Sequence, residues 1–192
     1  MKTRNFKWLV VLCMTLGFAS VAKAQINCNE VYFYAEAGNS EIYDAVKFDY
    51  SKNRVLLIKT AGTQHVKNRL AESKNYYENL TASGKNEGKD GDDSFSEYKY
   101  DAQKSTSSKI VYRKTESYIV YPTNAVGLPI YTLPATTKNS YAYLEFSTDP
   151  NISSFILRYE NDDHKTSAPR YYTRVPKEDL LPKSTNYDFL ND

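Results

Sequence analysis

The sequence predicts a mainly β fold of the α+β kind, an antiparallel barrel or two-sheet sandwich of about nine strands with one amphipathic helix. Three observations carry this. Short segments alternate apolar and polar residues with the period of two that a half-buried strand requires, and turn residues separate them. Tyrosine, which favours strands and half-buried positions, occurs 18 times in 192 residues. Successive strand segments follow one another with almost no helical pattern between them, which excludes a parallel βαβ sheet.

The elements read in order as follows. Val31 to Ala37 places Val31, Phe33 and Ala35 on one face and Tyr32, Tyr34 and Glu36 on the other. Val46, Phe48 and Tyr50 repeat the pattern, Ser51-Lys52-Asn53 supplies a turn, and Arg54 to Lys59 is a run apolar enough to be covered on both sides. Thr63 is a suitable N-cap for a helix through Leu80, because Val66, Leu70, Ser73, Tyr77 and Leu80 recur at helical spacing. That helix is expected to lie across a sheet or to plug one end of a barrel. Residues 81–94, rich in glycine and charge, read as a mobile surface loop.

Strand pattern resumes at Phe95–Tyr100, Lys109–Arg113 and Ser117–Tyr121, with Lys114-Thr115-Glu116 as the turn between the last two. All seven prolines lie from Pro122 onward, so Thr123–Thr137 is expected to be an extended connection with at most an edge strand. A hairpin follows, Tyr141–Phe146 and Ile152–Glu160 around Thr148-Asp149-Pro150-Asn151. Arg170–Val175 is the last strand, and Pro176 opens a helical turn.

Residues 1–24 have the form of a secretory signal peptide: a basic start at Lys2, Arg4 and Lys7, an apolar stretch from Trp8 to Phe18, and small residues at Ala22 and Ala24. The stretch is too short for a membrane span. With Gln25 directly after Ala22-Lys23-Ala24, this leader resembles those of exported proteins of Gram-negative bacteria, which implies a periplasmic or extracellular location. Residues 25–192 then form a single domain. The leader holds four of the 25 basic residues and none of the 23 acidic ones, so the formal charge of +2 becomes −2 without it. That balance argues against a nucleic-acid partner. Cys28 is the only cysteine beyond the leader, so no internal disulfide is available and packing must supply stability.

The chemistry-bearing residues are few. His65 reads as a solvent-facing helix residue, because the local sequence offers no carboxylate to orient its ring. His164, beside Asp162 and Asp163, reads as part of a tight loop. Asn86–Glu97 partly imitates a calcium loop but has Gly88 and Asp93 where a ligand and an apolar residue belong. No metal or cofactor is expected. Glu36, Glu41, Glu145 and Glu160 are the acids that a glycosidase pair would draw on if they met across strands.

Tyrosine beside a base recurs, most densely in Arg170-Tyr171-Tyr172-Thr173-Arg174. Strand alternation puts Arg170, Tyr172 and Arg174 on one side, the candidate binding surface, with Tyr171 facing the core. The expectation is thus a non-catalytic, exported binding module with a protein or glycan partner. The alternatives are a secreted hydrolase working through carboxylates, or a carrier of a small apolar ligand in a barrel closed by the Thr63–Leu80 helix.

Overall fold

A computed structural model describes residues 29–83, 93–149, 151–162 and 165–182. The expected leader, Cys28, His164 and residues 84–92 of the loop, with most of the calcium-loop look-alike, lie outside the described residues. Eight strands form one closed antiparallel barrel in simple sequence order. They are β1 (Val31–Glu36), β2 (Asp44–Asp49), β3 (Arg54–Lys59), β4 (Ser94–Tyr100), β5 (Lys109–Val120), β6 (Thr136–Ser147), β7 (Ser154–Asn161) and β8 (Arg170–Val175). Each strand pairs with the next, and β8 returns to β1 through Phe33–Val175, Tyr34–Arg174, Ala35–Thr173 and Glu36–Tyr172. Of the two expected architectures the barrel is the one realised.

Alternation sorts the side chains. Tyr32, Tyr34, Val46, Phe48, Val55, Leu57, Tyr98, Tyr112, Leu144, Phe146, Phe155, Leu157 and Tyr172 point inward and fill the lumen as one apolar cluster. The opposite faces of β1, β2 and β3 carry Val31, Phe33, Ala45 and Ile58, which are buried beneath two helices and Leu180. Both faces of these strands are therefore covered, as the apolar run Val55–Ile58 demands. Around β5–β8 the outer face sets ion pairs among Val111, Tyr143 and Ile156: Glu145 lies 3.2 and 3.3 Å from Lys109 and Arg158, and Lys104 reaches Glu160 at 2.7 Å.

The end of the barrel nearest the β2–β3 turn is plugged by aromatic rings. Phe48 packs edge-on against Phe146 at 5.0 Å and stacks on Tyr50 at 5.8 Å. Ile152 closes the same end with a left-handed φ of 46°, unfavourable for a β-branched residue. Its side chain is buried, and its carbonyl accepts the Tyr34 hydroxyl at 2.9 Å, which holds the strained turn against the lumen.

Two expected elements take a different form. The Lys109–Arg113 and Ser117–Tyr121 segments are one strand of 12 residues, so the count is eight where about nine were expected. Lys114-Thr115-Glu116 makes no turn, because Lys114 and Glu116 keep the inward phase of Tyr112 and Thr115 the outward one. The helical segment divides into α1 (Thr63–Glu72) and α2 (Tyr76–Ser83). Ser73 is extended at the break, where Ser73 and Asn75 favour local hydrogen bonds over helix. Both helices lie on the outer wall, so they close neither end.

Thr63 is the first helical residue, not the cap. Its hydroxyl accepts the Ile42 N–H at 3.0 Å, while its own N–H goes to the Glu41 carboxylate at 2.8 Å. That hydrogen bond holds the Glu41 pKa below the usual carboxylate range. Among the described residues no helix is long and apolar enough to cross a membrane.

Burial raises the phenol pKa values of Tyr34, Tyr77, Tyr98 and Tyr172. Below pH ~10 both folded and unfolded phenols are protonated and contribute no pH dependence. Above it the unfolded chain releases protons that the folded chain retains, so stability falls at about 1.4 kcal/mol per pH unit for each such phenol. Urea midpoints should be insensitive to these groups up to about pH 10 and drop steeply above it.

Candidate functional site

At the other end, where β5 and β6 run longest, the lumen becomes polar. The inward phase of each strand brings Glu36, Asp44, Lys59, Ser96, Lys114, Glu116, Ser140, Tyr159 and Arg170 to this mouth. A recess of about 200 Å³ opens there, floored by Leu57 and Ala142 and walled by Lys59, Ser96, Tyr98, Lys114, Glu116, Ser140 and Tyr159. The apolar floor and hydrogen-bonding rim have the make-up of a small-ligand site in a barrel mouth.

Every mouth carboxylate has a cation. Asp44, almost wholly buried, accepts a short hydrogen bond from Lys59. Lys114 lies 2.5 Å from Glu116 and donates to the Ser96 hydroxyl at 3.0 Å. Arg170 lies 3.9 Å from Glu36. The Tyr98 phenol is pushed up by burial first, then by Tyr159, Asp44 and Glu116 around it. For Tyr172 burial again leads, followed by Asp44 and Glu36, while Arg170 opposes. The rim therefore presents neutral phenols among balanced ion pairs.

The Lys114–Ser96 contact also spans a gap in the wall. β4 and β5 share two residue pairs, Lys99–Arg113 and Tyr100–Tyr112, at the plugged end. Toward the mouth this ladder stops, and side chains take over the contact.

The expected binding surface has the opposite orientation. Tyr172 is 2% exposed and lies flat on Phe155, with ring centroids 4.4 Å apart, whereas Tyr171 is 52% exposed. The alternation holds but the inward face is the other one, because two adjacent tyrosines give no local sign of which one the lumen takes. Arg170 reaches the mouth; Arg174 lies at the plugged end, over the Tyr32 ring at 4.6 Å and donating to the Asn151 carbonyl at 2.9 Å. The three residues thus form no single outward surface.

The four acids considered for a glycosidase pair are not brought together. Glu36 is at the mouth, Glu41 caps α1, and Glu145 and Glu160 sit in separate ion pairs on the outer wall.

One constellation escaped the sequence. His65 Nε2 lies 3.0 Å from Asp93 Oδ2, Tyr77 donates to Asp93 Oδ1 at 3.3 Å, and Arg69 Nε lies 4.0 Å from Asp93 Oδ2. The carboxylate absent locally comes from 28 residues downstream. Only its position in the fold could reveal it. Among the described residues the His65–Asp93 pair has no serine, threonine or cysteine hydrogen-bonded to its ring. It works as a clasp that ties both helices to the start of β4. Among the described residues no cluster of three metal-ligating side chains occurs.

A larger recess of about 470 Å³ lies on the outer wall between Val31, Glu78 and Lys177.

Two measurements check this placement. Tyr172→Ala should lower unfolding stability by about 3–5 kcal/mol through loss of its buried stack, and Tyr171→Ala should change it by about 0.5 kcal/mol or less. Asp93→Ala, which strips an acceptor from buried donors, should lower it by about 1–3 kcal/mol; a smaller loss would remove the clasp. Compared with known proteins, the chain matches no family model, no curated protein and no solved structure.

Proposed function

We propose that the protein is a non-catalytic binding module, exported to the periplasm or beyond the cell, whose barrel mouth takes a single polar ring of a glycan. The observation that carries this reading is the contrast along the lumen. Side chains fill it except at the mouth, where Tyr98 and Tyr159 stand with Lys59, Lys114, Ser96 and Ser140 around an apolar floor. A sugar ring presents apolar C–H faces and a girdle of hydroxyls, and it needs that combination.

Size supports the reading. About 200 Å³ is below the roughly 300–1,000 Å³ of sites for drug-sized ligands, and suits one ring at the end of a longer chain. An apolar carrier gains little support, because aromatic and aliphatic side chains occupy the lumen. A hydrolase gains less, since Glu116 and Asp44 are engaged by Lys114 and Lys59 and neither stands free as an acid or base.

Titration calorimetry with a panel of neutral, amino and acidic monosaccharides tests the proposal. At least one member should bind saturably. Tyr159→Ala should weaken that binding by about 1–2 kcal/mol while leaving the unfolding midpoint nearly unchanged, as expected of a partly exposed aromatic contact. The absence of heat across the panel, or affinity indifferent to both Tyr159→Ala and Lys114→Ala, would overturn it.

A further inference from the structure

We propose that the tip of the β5–β6 hairpin, residues 122–134, inserts into the neutral interfacial layer of a phospholipid bilayer. This goes beyond ligand capture at the mouth and does not depend on it. It is a peripheral contact, made by a loop and not by a spanning segment.

The hairpin outgrows the barrel. β5 loses its β4 partner after Arg113, and β6 pairs with β7 only as far as Ser140–Asn161. The pairs Tyr118–Lys138, Ile119–Thr137 and Val120–Thr136 continue alone, carrying the tip on the order of 10 Å past the mouth. An arm of this kind has no barrel neighbour to cover its side chains. Even so, Val126 is 79% exposed, Leu128 61% and Tyr131 72%, with Leu133 exposed beside them.

Charge indicates what covers them. From Ser117 to Thr137 there are 21 consecutive residues without a Lys, Arg, Asp or Glu, in a chain of which 25% of residues are charged. A tip that met water alone, or a partner's charged rim, would not need to exclude both signs from everything beyond the Tyr118–Lys138 pair. An uncharged, convex tip is complementary to hydrocarbon beneath neutral headgroups.

The backbone supports the same occupant. Lipid offers no hydrogen bonds, so an inserted loop must satisfy its own N–H groups. The tip does so. Asn124 N–H donates to the Leu128 carbonyl and Gly127 N–H to the Asn124 carbonyl, each at 2.9 Å. The Asn124 side-chain oxygen accepts from Val126 and Leu128 N–H at 3.1 and 2.9 Å. Pro122, Pro129 and Pro134 have no N–H to satisfy. Gly127 adopts a φ of 83°, which lets the turn close without a Cβ in the left-handed region. Behind the tip Tyr121 and Tyr131 meet edge-to-face at 4.8 Å, where amphipathic rings suit the headgroup level.

Flotation of the full chain with phosphatidylcholine vesicles tests the proposal. The protein should float with neutral vesicles and do so equally at low and high salt, since no charge is involved. The double substitution Val126→Asp with Leu128→Asp lies on exposed positions and should leave circular dichroism unchanged. It should weaken partition by about tenfold or more, and Tyr131→Asp should weaken it in the same direction. Lys52→Asp, at the plugged end, should have no effect. Failure to float, or flotation that the tip variants leave intact, would overturn the proposal. So would a wild-type dimer that dissociates on the tip substitutions without any vesicle binding, because a second copy would then be the occupant.

Discussion

The pairing of β1 with β8 is the contact on which lumen, outer layer and mouth all depend. It joins Phe33 to Val175 and Glu36 to Tyr172 across almost the whole described chain, and it removes the two open edges that eight antiparallel strands would otherwise present. Closure turns one face of every strand inward, so Phe155 meets Tyr34 edge-on and stacks on Tyr172. It also gives Val31, Phe33 and Val175 a common outer surface on which the helices and Leu180 can settle. Without that pairing the aromatic interior would be a solvent-exposed sheet face, and no polar cup would exist at its end.

Periodicity made the strands near the N-terminus readable, because β1, β2 and β3 are short, regular and bounded by turn residues. It misplaced a turn at Lys114-Thr115-Glu116 for a physical reason. Those residues continue the alternation, but their inward members project into a polar mouth, so the usual apolar signal of an inward face is missing there. The helix break at Ser73 was hidden by an apolar spacing that runs through it, since α1 and α2 both bury residues against the same wall.

The candidate site was less legible than the fold. Alternation assigns residues to two faces without saying which face is inside, and Tyr171 and Tyr172 are chemically identical. A strand segment also says nothing of its neighbours' side chains. Lys59, Tyr98, Glu116 and Tyr159 sit on four different strands, and the cup they form exists only after register and closure are set. The same holds for His65 and Asp93, whose contact depends on where β4 begins relative to α1.

The distribution of backbone pairing around the cylinder is uneven. β5 and β6 are joined along 12 pairs and β6 and β7 along seven, but β4 and β5 along only two. Local opening proceeds where the fewest bonds must break together, so this seam yields before any other part of the wall. The Lys99–Arg113 and Tyr100–Tyr112 pairs sit at its plugged end and act as a hinge, while the Lys114–Ser96 hydrogen bond acts as a latch at the rim. The barrel is in this respect a sleeve with a slit along one side, bordered by the longest hairpin of the wall.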